Sequence, residues 1–261
     1  MTEPTEPNGR TDPIEPTPEI LILGGTGEAR ALAAALDDAG YSFISSLAGR
    51  VGNPRLPVGP VRIGGFGGVD GLREWLASNR IRVVVDATHP FAATITRNAA
   101  QAAARAGVPL LRLRRDPWVP GERDRWVRVP DLPAAADAVR RRGTRVLLTT
   151  GRQDVGVFAD IHTAWFLIRV VDPPTSALPP RHEILRSRGP YDYASELELL
   201  RRNEIDLLVT KNSGGSLTKA KLDAAATLGI DVVVVDRPAE PDVPTVSDVE
   251  SARALLEGLL R

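Results

Sequence analysis

The chain has no cysteine. That excludes disulfides, thiolate nucleophiles and cysteine-held metals together, and it fits a reducing compartment. Lysine is nearly absent too: the basic side chains are arginine except for Lys211, Lys219 and Lys221, which fall in one short segment. Net charge is missing, since 33 basic residues balance 33 acidic ones. No overall field would draw such a protein to nucleic acid or an anionic membrane. No apolar run approaches the roughly 20 residues a membrane helix needs. The first 18 residues carry Pro4, Pro7, Pro13, Pro16 and Pro18 and hold no apolar core for a signal peptide. They read as a disordered leader. The expectation is a cytoplasmic protein with no nucleic-acid or membrane partner, as a monomer or small homo-oligomer.

Several catalytic signatures are lacking as well. None of Tyr41, Tyr191 and Tyr193 is followed four residues later by lysine, so the tyrosine–lysine pair of short-chain dehydrogenases is absent. There is no His-Glu metal motif, no nucleophile elbow and no Gly-Lys-Ser/Thr after the first glycine turn. No metal site is expected. Hydride transfer is the chemistry least dependent on such groups, because a cofactor supplies it.

What is present is an alternation of short β-branched runs with amphipathic stretches over most of the 261 residues. Residues 20–23 form a buried-strand run, and Ala29, Leu32, Ala33 and Leu36 then share one helical face. Further strands are expected at 41–45, 61–63, 81–85 and 109–113, with helices over 71–78 and 92–106. This pattern predicts a doubly wound α/β sheet. Pro117, Trp118, Pro120, Gly121, Trp126 and Pro130 interrupt it. The alternation then resumes, with strands at 145–149, 165–171, 206–210 and 232–235 and helices at 132–142, 195–202, 217–228 and 249–260. The expected organisation is a leader over 1–18, a nucleotide-binding domain over 19–115, a junction over 116–130 and a second α/β domain over 131–261.

The first strand runs into Gly24-Gly25-Thr26-Gly27-Glu28. Gly24, Thr26 and Ala29 occupy the frame where a dinucleotide fingerprint places its three glycines. The match is imperfect, but the physics survives. The glycines permit a tight turn beside phosphate, and Thr26 caps a helix whose free N–H groups face an anion. A turn that only joins strand to helix is the alternative. At the end of the second strand, Ser45-Ser46-Leu47-Ala48-Gly49-Arg50 has no carboxylate for ribose hydroxyls. Arg50 could pair with a 2′-phosphate, which favours NADPH over NADH.

Gly64-Gly65-Phe66-Gly67-Gly68 places backbone against a flat ligand, or tucks Phe66 into the core. Asp86-Ala87-Thr88-His89 sits at the carboxyl edge of the fourth strand, where ligands gather. His89 is a candidate proton donor or pocket wall, and Asp86 and Thr88 could orient it or bind ribose. The candidate cofactor residues are Gly24, Gly25, Thr26, Gly27, Glu28, Ser46, Arg50, Gly65, Phe66 and Thr88. Two later turns, Thr149-Thr150-Gly151-Arg152 and Lys211-Asn212-Ser213-Gly214-Gly215, combine a cation, a glycine and polar groups at a helix start. They suggest an extended anionic ligand.

In this order the motifs resemble those of the precorrin-6A reductase family of cobalamin biosynthesis, over about residues 19–240. The resemblance implies two Rossmann-like domains with ligands in the cleft between them. It implies NADPH-dependent reduction of one double bond in precorrin-6A to give precorrin-6B. Thr150, Gly151, Arg152, Lys211, Asn212, Ser213, Gly214 and Gly215 would then hold the carboxylates of the tetrapyrrole. The proton could come from His89 or from water. A non-catalytic NADPH-binding redox sensor, or an NADPH reductase of another unsaturated polycarboxylate, are the alternatives.

Overall fold

The computed structural model describes residues 18–49, 52 and 54–261. The leader expected over 1–18 lies almost wholly outside them, as does Arg50. The four residues of β1 (Ile20–Leu23) are buried, and α1 (Gly27–Asp38) buries Ala29, Leu32, Ala33 and Leu36, the face its spacing predicts. There follow β2 (Phe43–Leu47), β3 (Val61–Ile63), α2 (Gly68–Ser78), β4 (Val83–Asp86), α3 (Ala93–Ala106) and β5 (Leu110–Leu113). The second run comprises β6 (Arg125–Val129), α4 (Leu132–Arg142), β7 (Arg145–Leu148), β8 (Trp165–Val170), β9 (His182–Arg186), α5 (Tyr193–Arg202), β10 (Leu207–Lys211), α6 (Ala220–Leu228) and β11 (Asp231–Val235). The chain closes with β12 (Thr245–Val246) and α7 (Val249–Leu260). Among the described residues, no helix is long and apolar enough to cross a membrane.

These strands form two six-stranded sheets, β3-β2-β1-β4-β5-β12 and β9-β8-β7-β10-β11-β6, with every pairing parallel. Both have the order of dinucleotide-binding Rossmann folds, and both reverse direction at an interior point. That point lies between β1 and β4 in the first sheet and between β7 and β10 in the second. Helices cover both faces, as parallel sheets require. In the first sheet α1 and α7 pack on one face, and α2 and α3 on the other.

The observed boundaries differ from the expected ones in a specific way. β12 pairs with β5, and Ala252 and Leu256 of α7 join the core under α1. The end of the chain therefore belongs with the first sheet and not with the second. β6, inside the expected junction, is an edge strand of the second sheet, paired with β11. Among the described residues no helix separates β2 from β3. β9 and β12 carry no sequence signal: the first is a largely exposed edge strand, and the second has only two residues.

The chain thus crosses between the halves twice, after β5 and after β11, and the crossings are bonded to each other. Arg237 Nη2 donates to the Arg115 carbonyl at 3.0 Å. Glu240 pairs with both Arg114 and the fully buried Arg112, the latter at 3.0 Å.

Candidate functional site

All the motifs lie at the carboxyl ends of strands: those after β1, β4, β7 and β10 flank the two reversal points, and those after β2 and β3 continue the same edge of the first sheet outward. In the first turn, Gly25 has φ +111°, and a Cβ there would meet nothing within 4 Å. The position thus demands glycine and leaves the backbone open to a ligand. Thr26 has a different task. Its buried hydroxyl accepts from Ala29 N at 3.1 Å and donates to the Ala87 carbonyl at 2.7 Å. It caps α1 and pegs the turn to the end of β4, with no donor left for a ligand. The helix N–H groups of Gly27 and Glu28 remain for that purpose. The Glu28 carboxylate is engaged elsewhere, 2.8 Å from Arg115 Nη1.

At the end of β2, Ser46 Oγ accepts from Arg62 Nη1 at 2.8 Å. Arg62 also donates to the carbonyls of Gly64 and Gly65, both at 3.1 Å, and stacks 3.8 Å above the Phe66 ring. Phe66 in turn meets Trp75 edge-on and borders the core. Ser46, Gly65 and Phe66 therefore hold Arg62. Partial burial lowers the Arg62 pKa. Among the described residues that end this strand, 45–49, none is acidic.

Asp86 is fully buried, and its oxygens are spent on the protein. They accept from Thr88 N at 3.1 Å, Thr88 Oγ1 at 2.6 Å and Thr96 Oγ1 at 2.7 Å, with Arg112 Nε 3.3 Å away. Asp86 and Thr88 thus lock the end of β4, and neither orients His89 nor offers its side chain to ribose. His89 Nδ1 accepts from Phe91 N at 3.2 Å, so the ring proton sits on Nε2. Burial first, then the charges of Arg115, Lys211, Arg237 and Lys221, push its pKa down to about 3. His89 is neutral at pH 7.

In the second half, the Thr150 hydroxyl is buried without a partner, and Gly151 has φ +96° with open space beyond. Arg152 stands beside them, half-buried. Lys211 is paired with Asp154, and its ammonium lies 5.1 Å from the centre of the Phe91 ring, which belongs to the loop after β4. Asn212 is a clamp: its Oδ1 accepts from Trp118 N at 2.8 Å, and its Nδ2 donates to the Trp118 carbonyl at 3.1 Å. It does not face a ligand. The carbonyls of Ser213, Gly214 and Gly215 also point into protein. Arg115 Nε donates to the first two at 2.7 and 3.0 Å, and Trp118 Nε1 to the third at 2.7 Å. Gly214 and Gly215 have φ +71° and +75°, and a Cβ at Gly214 would stand 2.0 Å from the Asp116 carbonyl. Close approach, not ligand contact, explains these glycines.

The two carboxyl edges face each other. Arg115 joins Glu28 to the loop after β10, Lys211 reaches Phe91, and the cations that depress His89 come from the crossings and the second half. Sequence reading missed Arg115, Trp118, Asp154 and Arg237. Trp118 lies in the segment read as a junction, where the only signal was its aromatic and proline content, and Arg115 is the residue just before that segment. Lys221 is buried against Trp118, 4.6 Å from the ring, and burial followed by Arg169 lowers its pKa to about 7.

A family model described as precorrin-6x reductase CbiJ/CobK matches residues 19–257. A precorrin-6A reductase of Rhodococcus erythropolis is 57% identical, covering 93% of this chain and 98% of its own length. One from Mycobacterium tuberculosis (strain ATCC 25618 / H37Rv) is 56% identical, over 92% and 98%. The solved structure of a CobK precorrin-6A reductase superposes with a TM-score of 0.88 at 42% identity, covering 93% of this chain and 97% of that one.

Proposed function

The chain belongs to the precorrin-6x reductase family, and we propose that it reduces one double bond of precorrin-6A with NADPH, giving precorrin-6B on the route to cobalamin. The relatives described above are named for precorrin-6A, so the substrate proposed is the macrocycle without cobalt. The observation that carries the reading is the meeting of two reversal points. An open glycine turn on one side faces a cation-rich polar edge on the other.

The residues present fit a dinucleotide. Gly25 leaves the backbone exposed, the N–H groups of Gly27 and Glu28 suit a pyrophosphate, and the end of β2 lacks the acid that NADH recognition uses. When bound, NADPH supplies the hydride. The protein's part is to hold the macrocycle beside it. The field of Arg115, Lys211, Arg237 and Lys221 draws the acetate and propionate side chains into the cleft. The unpartnered Thr150 hydroxyl and the open turn at Gly151 offer hydrogen bonds to a carboxylate. His89 donates from Nε2 and orients the ligand. It is not the acid in this reading, because burial is the larger cause of its low pKa, and a bound macrocycle deepens that burial. Water then delivers the proton to the carbon next to the one reduced.

Mixing protein, NADPH and precorrin-6A tests this directly. Loss of NADPH absorbance together with a change in the pigment spectrum is the expected result. Binding of NADPH with no binding or change of the tetrapyrrole would sink the reductase reading.

A further inference from the structure

One acid of the second half stands where an anionic ligand is to be received. Of the residues in the turns after β7 and β10, 149–154 and 210–215, only Asp154 carries a negative charge. The fold fixes its place. It precedes a short helical turn, Val155–Phe158, in which Val155 and Phe158 are fully buried. Its N donates to the Gly151 carbonyl at 3.1 Å, and its carbonyl accepts from Val157 N at 3.1 Å. The Asp154 side chain caps nothing. It is paired with the Lys211 ammonium instead, and each side chain is 18% exposed. A pair so placed is screened less than a surface bridge, yet a ligand can reach it. Arg115 and Arg237 are anchored by backbone carbonyls as well. The Lys211 ammonium rests on Asp154 and, across the cleft, on the Phe91 ring. Cations gathered this closely repel one another, and a carboxylate among them offsets part of that. The same carboxylate repels an arriving polyanion and competes with it for Lys211. The unpartnered Thr150 hydroxyl and the open Gly151 belong to the same turn, so a carboxylate bound there meets this pair.

We propose that Asp154 is an internal stand-in for a substrate carboxylate, holding Lys211 until a carboxylate of the tetrapyrrole takes its place. This rests on the tetrapyrrole being the substrate. Asp154 is then a positioning residue that acts through Lys211 and opposes binding. Pairing with Asp154 takes Lys211 out of its binding-competent state, so the apparent affinity falls by the fraction of molecules in which the pair is closed. When the ligand leaves, the carboxylate returns, and no uncompensated ammonium is left beside Arg115 and Arg237. The sign of this effect sets it apart from a brace. Removing a brace loosens both the protein and its ligand, whereas removing a competitor loosens the protein and tightens the ligand.

Titration of the wild type, Asp154→Asn, Asp154→Ser and Asp154→Glu with precorrin-6A, followed by the pigment spectrum without NADPH, tests it. Asp154→Asn keeps the shape of the side chain and removes its charge, and Asp154→Ser repeats the comparison with a smaller group. Both should bind precorrin-6A roughly 5- to 50-fold more tightly, while melting at a lower temperature than the wild type in the absence of tetrapyrrole. Asp154→Glu restores the charge and should stay within about threefold of the wild type. NADPH titration of each variant should be unchanged within about threefold, which also shows that the fold is intact. In steady state KM for precorrin-6A should fall in Asp154→Asn while kcat changes little. Weaker or unchanged binding of precorrin-6A by Asp154→Asn and Asp154→Ser overturns the proposal. So does a loss of about 100-fold or more in kcat, which would make Asp154 the acid of the reaction. A wild type that does not bind precorrin-6A defeats the substrate reading itself, and that outcome is separable from the others.

Discussion

Arg115 Nη1 stands 2.8 Å from the Glu28 carboxylate, while its Nε donates to the carbonyls of Ser213 and Gly214. One side chain therefore fixes the start of α1 against the loop after β10, and with it the distance between the two carboxyl edges. Lysine has neither the reach nor the fork to serve all three acceptors. Arg115→Lys should lower kcat/KM for precorrin-6A by about 10- to 100-fold, as misplacement of reactants does. Steady-state kinetics with both substrates checks this, and an unchanged value would show that the bridge does not set the geometry.

His89 separates an acid from an orienting donor. If it only donates from Nε2, His89→Gln keeps an N–H donor and should retain activity within about tenfold, whereas loss of a general acid costs about 100- to 10,000-fold. No step in the pH–rate profile between 6 and 8 should vanish in the variant.

The same residue predicts a stability change with the sign fixed. Its folded pKa, about 3, lies below the ordinary 6.5, so the unfolded chain binds the proton more readily. Stability contributed by neutral His89 is full above pH 6.5 and declines as pH falls toward 3, with each pKa unit worth about 1.4 kcal/mol. Denaturant melts at pH 7 and pH 5 should show a smaller difference in His89→Gln than in the wild type.

Lys221 gives a second window. Its pKa is lowered from 10.5 to about 7 by burial and by Arg169, against the pull of Glu196. The unfolded chain binds more protons between those values, so the cost of a buried ammonium is relieved as pH rises from 7 to 10. Lys221→Met keeps the contact with Trp118 and removes the charge. Its stability relative to wild type should be greater at pH 6 than at pH 9, measured by urea unfolding.

Two glycines should fail differently. Alanine at Gly214 would place Cβ 2.0 Å from the Asp116 carbonyl, in backbone with φ +71°, and should cost about 3 kcal/mol or more of stability. Alanine at Gly25 meets no protein atom, so it should cost only about 1–2 kcal/mol for its φ of +111°. If this turn holds the cofactor as proposed, its larger effect should be on NADPH affinity, because the added methyl group occupies the open side of the turn. Thermal melts and NADPH titration of the two variants separate these outcomes.

The elements that the sequence announces are those with a local cause. A run such as Ile20–Leu23 has to be buried on both faces, and Ala29, Leu32, Ala33 and Leu36 can share a core only as one face of a helix. The strand ends at Gly24, His89, Thr150 and Lys211 were legible for the same reason, since turn chemistry is written in adjacent residues. Partnership was not. That Asn212 holds Trp118, that Glu28 answers Arg115, and that Asp86 is exhausted by Thr88, Thr96 and Arg112 depends on residues up to 94 positions apart. The return of β12 and α7 to the first sheet was hidden because a two-residue edge strand has no periodicity. By itself the sequence determined two α/β halves and the strand ends that carry the site. The tertiary structure alone decided which polar groups are consumed within the protein and which remain for a ligand, because that depends on distances that chain spacing does not encode.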